Sequence, residues 1–154
     1  MVTRTKSRMG ICIAVLVAWL AVIWGNSMTP GQVSGQLSGW ASEVIGKLLP
    51  FLSPESEHGH LLVRKIAHFS EFALLGLILR WLFAMVTEKN AFRFLLPLGC
   101  GMMAAVMDEC IQIFSPGRVC SFWDMCIDWS GVLTGIGFMT LFLFFLQKRK
   151  KSAV

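Results

Sequence analysis

Four stretches of the chain stay apolar for long enough to matter, and charge fences each of them. They lie at about Met9 to Trp24, Ile66 to Val86, Phe92 to Phe114 and Trp129 to Leu146. A helix crosses bilayer hydrocarbon with about 20 mostly apolar residues. None of the four alternates like a barrel strand, and a helix satisfies its own backbone groups, so each is read as a spanning helix. The pattern predicts an all-α fold, a four-helix transmembrane bundle forming one domain over residues 1–154. Arg4, Lys6 and Arg8 ahead of the first apolar stretch also fit a signal peptide. No small-x-small cleavage site follows, and the stretch is taken as the first span.

The long connection from Gly25 to Arg64 is polar at its start but not throughout. Trp40, Val44, Ile45, Leu48 and Leu49 recur at helical spacing with Glu43 and Lys47 opposite. That predicts a short interfacial helix on the outer leaflet, stopped by Pro50. Ser53-Pro54-Glu55 reads as a helix start, with a hydroxyl cap, Pro in the first turn and acid at the positive dipole end. This helix is expected to run into the second span. His58 and His60, two residues apart, would point different ways on a helix and read as loop residues.

Composition agrees with the pattern. Hydrophobic residues make up 55% and charged residues 15%, with mean hydropathy +0.65. A soluble domain carries about 25% charged residues, and so small a core could not hide this much apolar surface. The 12 Phe and 6 Trp exclude disorder. Cys12 and Cys100 lie inside apolar runs, against a disulfide scaffold, and no bridge is expected among Cys110, Cys120 and Cys126.

Charge sets the expected orientation. Lys and Arg flanking spans stay on the cytoplasmic side. With both termini cytoplasmic, Arg4, Lys6, Arg8, Arg80, Lys89, Arg93, Lys148, Arg149, Lys150 and Lys151 all fall inside. Only Lys47, Arg64, Lys65 and Arg118 fall outside. The net charge of +5 is therefore a topology signal and implies no nucleic-acid partner. A multi-pass protein of the cell membrane is expected.

In that orientation every acid but Glu88 lies outside. Glu71 sits near the outer start of the second span, Asp108 and Glu109 near the outer end of the third, and Asp124 and Asp128 before the fourth. Acids are costly in a membrane, so such groups face the bundle interior and a partner. Lys65, His68, Glu71 or Phe72, and Leu75 form one helical stripe. Asp108 and Glu109 each pair with Gln112 at i+4 and i+3. Ser115-Pro116-Gly117 makes a tight turn carrying Arg118, whose guanidinium can fork onto a carboxylate or a phosphate. Gly131 and Gly135 form a GxxxG that serves a homodimer or a membrane-protein partner as well as an internal contact.

These residues give a candidate ligand-binding set of Lys65, His68, Glu71, Asp108, Glu109, Gln112, Arg118, Asp124 and Asp128. Were the site catalytic, the candidates are His68 or Glu71 as base and Asp108 or Glu109 as acid or metal holder. The chain lacks HExxH, paired CxxC and GxSxG, so no metal site is assigned and no cofactor is identified. Against a site stands the simpler reading that Lys65, His68 and Arg118 merely neutralise the acids and lock the helix ends.

The ordered set KxxHFxEF from Lys65, DExxQxFxPGR from Asp108 to Arg118, and DxxxDxxG from Asp124 resembles the VanZ-like family of small bacterial membrane proteins. The signature covers about residues 65–137, and Asn26-Ser27 fits more loosely. Phe72 stands where many relatives have Tyr, removing a hydroxyl. The resemblance implies four spans and an association with low-level teicoplanin-type resistance or envelope homeostasis, but no defined reaction. Three readings follow: a pocket binding a membrane lipid headgroup or lipid-linked cell-wall precursor, an enzyme modifying such a lipid, or a non-catalytic membrane scaffold.

Overall fold

The computed structural model describes residues 2–47, 49 and 59–152. The expected helix start at Ser53-Pro54-Glu55, Leu48, Pro50, His58 and the side chain of His60 lie outside the described residues. Five helices follow in order: α1 (Val2–Ser27), α2 (Gly31–Gly46), α3 (Gly59–Val86), α4 (Asn90–Gln112) and α5 (Phe122–Ser152). No strand occurs among the described residues. Lys6–Ser27, Leu61–Val86, Asn90–Gln112 and Phe122–Arg149 are long and apolar enough to cross a membrane.

Two helices are longer than the apolar stretch they carry, for one reason. Helix α3 is already helical at Gly59, ahead of Ile66, in keeping with a helix that runs into the second span, and α5 begins at Phe122, ahead of Trp129. Hydropathy marks where a helix enters lipid, whereas the hydrogen-bonded helix continues through polar residues outside it. Arg64, Lys65, Asp124 and Asp128 therefore all stand on helix, in rigid register with the core.

Helix α3 is the hub, packing against α1, α2, α4 and, most extensively, α5. Its Phe72 and Leu75 are fully buried with Ile23 of α1, Ala105 of α4, and Val132 and Ile136 of α5. The GxxxG glycines are used inside the chain. A Cβ at Gly131 would lie 2.5 Å from the Phe69 carbonyl oxygen, and one at Gly135 would collide with the Ala73 carbonyl. Absence of side chains lets the two backbones touch, the usual basis of close packing where lipid supplies no hydrophobic drive.

Polarity is distributed inside out. Phe138, Leu141, Phe142, Phe144 and Phe145 are exposed on α5, while Ser27, Asp108, Glu109, Gln112 and Asp128 are buried. Large exposed apolar faces on every spanning helix suit hydrocarbon as the solvent.

Candidate functional site

The buried polar residues gather at one end of the bundle, where α1 and α4 finish and α3 and α5 begin. Up-down topology produces this. Antiparallel neighbours bring the last turn of one helix level with the first turn of the next.

Helix α4 supplies the centre. Asp108 and Gln112 stand one turn apart, and the Gln112 amide nitrogen donates to Asp108 Oδ2 at 2.9 Å and to Glu109 Oε1 at 3.3 Å. Ser27, at the end of α1, donates its hydroxyl to Asp108 Oδ1 at 2.6 Å. The Ser121 backbone N–H, just before α5, donates to Glu109 Oε2 at 2.8 Å. Each oxygen of both carboxylates thus receives a hydrogen bond, which makes their burial tolerable.

Asp128 is different. Its carboxylate is fully buried, and neither oxygen has a hydrogen-bond partner. His68 Nδ1 of α3 lies 3.5 Å from Asp128 Oδ1, and this nitrogen too lacks a hydrogen-bond partner. It is the one contact between a basic and an acidic side chain within 4 Å found among the described residues, and an ion pair only when the imidazole is protonated.

Glu71 sits one turn further along α3. It accepts from the Asn26 amide at 2.7 Å, while its backbone carbonyl accepts from the Trp19 indole at 3.0 Å. Lys65 is exposed at the rim, and Asp124 is half-buried just after the Ser121 hydroxyl that caps α5.

Of the two partners expected for Arg118, a carboxylate or a phosphate, no carboxylate among the described residues bonds it. Its Nε donates to the Thr29 carbonyl at 3.0 Å and one terminal nitrogen to the Asn26 carbonyl at 3.1 Å. A guanidinium there adds a second donor to the Asn26 carbonyl, which already accepts the Thr29 N–H at 3.1 Å, and complements the negative dipole end of α1. The same turn donates the Ser115 hydroxyl to the Ser27 carbonyl at 2.8 Å and accepts the Gly31 N–H on the Pro116 carbonyl at 2.9 Å. This turn fixes both α1 and α2. The remaining nitrogen, Arg118 Nη1, is buried without a partner. Burial, then the neighbouring Arg64 guanidinium, pull the Arg118 pKa below the usual arginine value, yet arginine stays charged at any physiological pH. Of the three bases in the simple lock, His68 meets an acid, Asp128, while Arg118 bonds backbone carbonyls and Lys65 is exposed at the rim.

Arg64, His68, Glu71 and Arg118 line a cleft of about 170 Å³ with Asn26 and Thr29 of the α1 end and Ser34, Leu37 and Ser38 of α2. A smaller hollow of about 60 Å³ lies beyond it, lined by Arg64, Lys65, His68 and Asp124. Arg64 and His68 border both. Of the expected site residues, His68, Glu71, Asp108, Glu109, Gln112, Arg118 and Asp128 converge, with Lys65 and Asp124 at the edge. Sequence reasoning missed Ser27 as the Asp108 donor, Asn26 as the Glu71 donor, and the α2 serines. Small hydroxyls leave no periodic trace, although Ser34, Ser38 and Ser42 at i+4 steps were a legible stripe.

Among protein families, the VanZ/LLP1 model matches residues 12–144 of the chain. No curated protein and no solved structure matches it.

Proposed function

Because the chain belongs to the VanZ/LLP1 family over most of its length, we propose that it is a cell-membrane protein whose polar cleft faces outward and holds an anionic headgroup. The ligand is a membrane lipid or a lipid-linked cell-wall precursor. Binding it would contribute to low-level teicoplanin-type resistance or to envelope homeostasis. The single observation that carries this reading is Arg118 Nη1, a buried cationic donor without a partner, sharing its cleft with Arg64. Two convergent guanidiniums with a free donor suit a phosphate.

Sidedness rests on the distribution of Lys and Arg, which puts both termini in the cytoplasm and the cleft outside. Helix α2 supports an interfacial position. Val33, Leu37, Trp40 and Val44 form an exposed apolar stripe, Gln32, Gln36 and Glu43 an exposed polar flank, and Ser34, Ser38 and Ser42 turn toward the protein. Three sectors match three surroundings: lipid, water and cleft.

Native mass spectrometry of the protein extracted from its own membrane tests the reading. Wild type is expected to retain a phosphate-bearing lipid, and Arg118→Lys, which keeps the charge but loses the fork, to retain several-fold less. Equal retention by wild type and an Arg64→Gln, Arg118→Lys double variant would sink the proposal. A second reading is a lipid-modifying enzyme, favoured by His68, which lines the cleft while its Nδ1 stands 3.5 Å from the Asp128 carboxylate. It predicts that the bound lipid is converted during incubation and that His68→Gln stops conversion without reducing binding.

A further inference from the structure

We propose that His68, Asp108 and Asp128 hold a divalent first-row transition ion, Mn2+ or Zn2+. Three helices, α3, α4 and α5, each deliver one ligand, and one atom from each lies within 4.8 Å of the other two. The inference stands on the geometry of this trio and does not depend on which lipid the cleft takes.

The spacing between His68 and Asp128 fits a shared ion better than a direct bond. At 3.5 Å their facing atoms are too far apart for a good hydrogen bond. With metal–ligand bonds of about 2.0–2.2 Å, two ligands on one tetrahedral ion stand roughly 3.4 Å apart. Any pair at the 4.8 Å limit of the trio must draw in by roughly 1.4 Å, the scale of a side-chain rotation.

Unmet hydrogen-bonding capacity points the same way. Both Asp128 oxygens, His68 Nδ1 and Gln112 Oε1 are buried with no partner. A fully buried carboxylate with no donor is costly unless a cation compensates it. Arg118 is committed to the α1 carbonyls and Lys65 is exposed, so neither compensates Asp128. Glu109 is left out of the ligand set because its carboxylate does not join the trio whose donor atoms lie within 4.8 Å of one another.

The donors choose the ion. One imidazole nitrogen with two carboxylates suits zinc or manganese, whereas magnesium and calcium prefer oxygen alone. Three protein ligands also leave at least one position for an oxygen from water or ligand. Ser27 and Gln112, bonded to Asp108, are the outer partners that would hold it in orientation.

The test uses full-length protein in detergent, stripped with EDTA, titrated with MnCl2 or ZnCl2 and desalted before metal analysis. Wild type is expected to keep about one ion per chain, His68→Gln and Asp128→Asn to bind at least ~10-fold more weakly, and Glu88→Gln, an exposed acid outside the site, to bind as wild type does. Thermal melts add a sign. In EDTA, Asp128→Asn removes an uncompensated charge and melts at or above the wild-type temperature; added Mn2+ raises the wild-type melt and leaves the variant unmoved. Should a variant fail to fold, pulsed EPR on Mn2+-loaded wild type still decides, because a bound imidazole gives nitrogen modulation. Substoichiometric metal in wild type, equal retention by both ligand variants, or absent nitrogen modulation each overturns the proposal. Headgroup binding is read separately on Arg118→Lys, so failure of either idea leaves the other measurable.

Discussion

The Ser27 hydroxyl donates to Asp108 at 2.6 Å across 81 positions of sequence, with both side chains fully buried. One short side chain at the end of α1 thereby ties the first helix to the acid at the centre of the cluster. Ser27→Ala leaves Asp108 Oδ1 without its donor. A hydrogen bond to a charged group contributes about 1.5–3 kcal/mol, and the variant is expected to lose stability in that range in detergent unfolding. Ser27→Thr, which keeps the hydroxyl, is the control.

The α3/α5 contact predicts sharply position-dependent substitutions. Gly135→Ala places a methyl group against the Ala73 backbone carbonyl, whereas Gly137→Ala meets nothing within 4 Å. Overpacking costs about 1–3 kcal/mol. Replacing an unconstrained helical glycine instead gains up to ~1 kcal/mol. Melting temperatures should fall for the first and hold or rise for the second. Equal effects would mean that α5 packs elsewhere.

Cys120, in the exposed turn before α5, offers a pH readout of the cluster. Desolvation and the Glu109 carboxylate push its thiol above the ordinary cysteine pKa. A raised pKa means less thiolate at any given pH. Alkylation of a variant retaining only Cys120 should therefore accelerate at higher pH than for a free cysteine, which titrates near ~8.5. Glu109→Gln should move that midpoint down. With a reagent unable to cross the membrane, labelling of intact cells also tests the proposed sidedness.

Helix α2 makes a three-sector prediction. Spin labels at Trp40→Cys, Gln36→Cys and Ser38→Cys, each in a cysteine-free background, sample lipid, water and cleft in turn. Oxygen dissolved in lipid should relax the first most strongly and an aqueous nickel complex the second, with the third shielded from both. An aqueous profile at position 40 would place α2 away from the bilayer.

Much of this molecule was readable without coordinates. Four apolar runs sufficed for the four spanning helices, since crossing lipid is a demand each segment meets alone. The acids at Asp108, Glu109, Asp124 and Asp128 and the His68 stripe were likewise legible, because antiparallel neighbours place their ends at one level. The backbone partners of Arg118 were not legible. Sequence gives a guanidinium near several carboxylates, but the carbonyls of Asn26 and Thr29 are backbone groups and carry no residue signature.

The chain by itself therefore determined the helices, their order and the depth at which polar groups collect, since hydropathy and helical periodicity are local sums over neighbouring residues. Tertiary structure decided which of those groups are satisfied. Asp108 and Glu109 have donors from distant segments, and Asp128 and His68 do not. The reason is physical: a hydrogen bond needs its partner within about 3 Å, and only the packing of α3 against α5 and of α1 against α4 sets which side chains come that close.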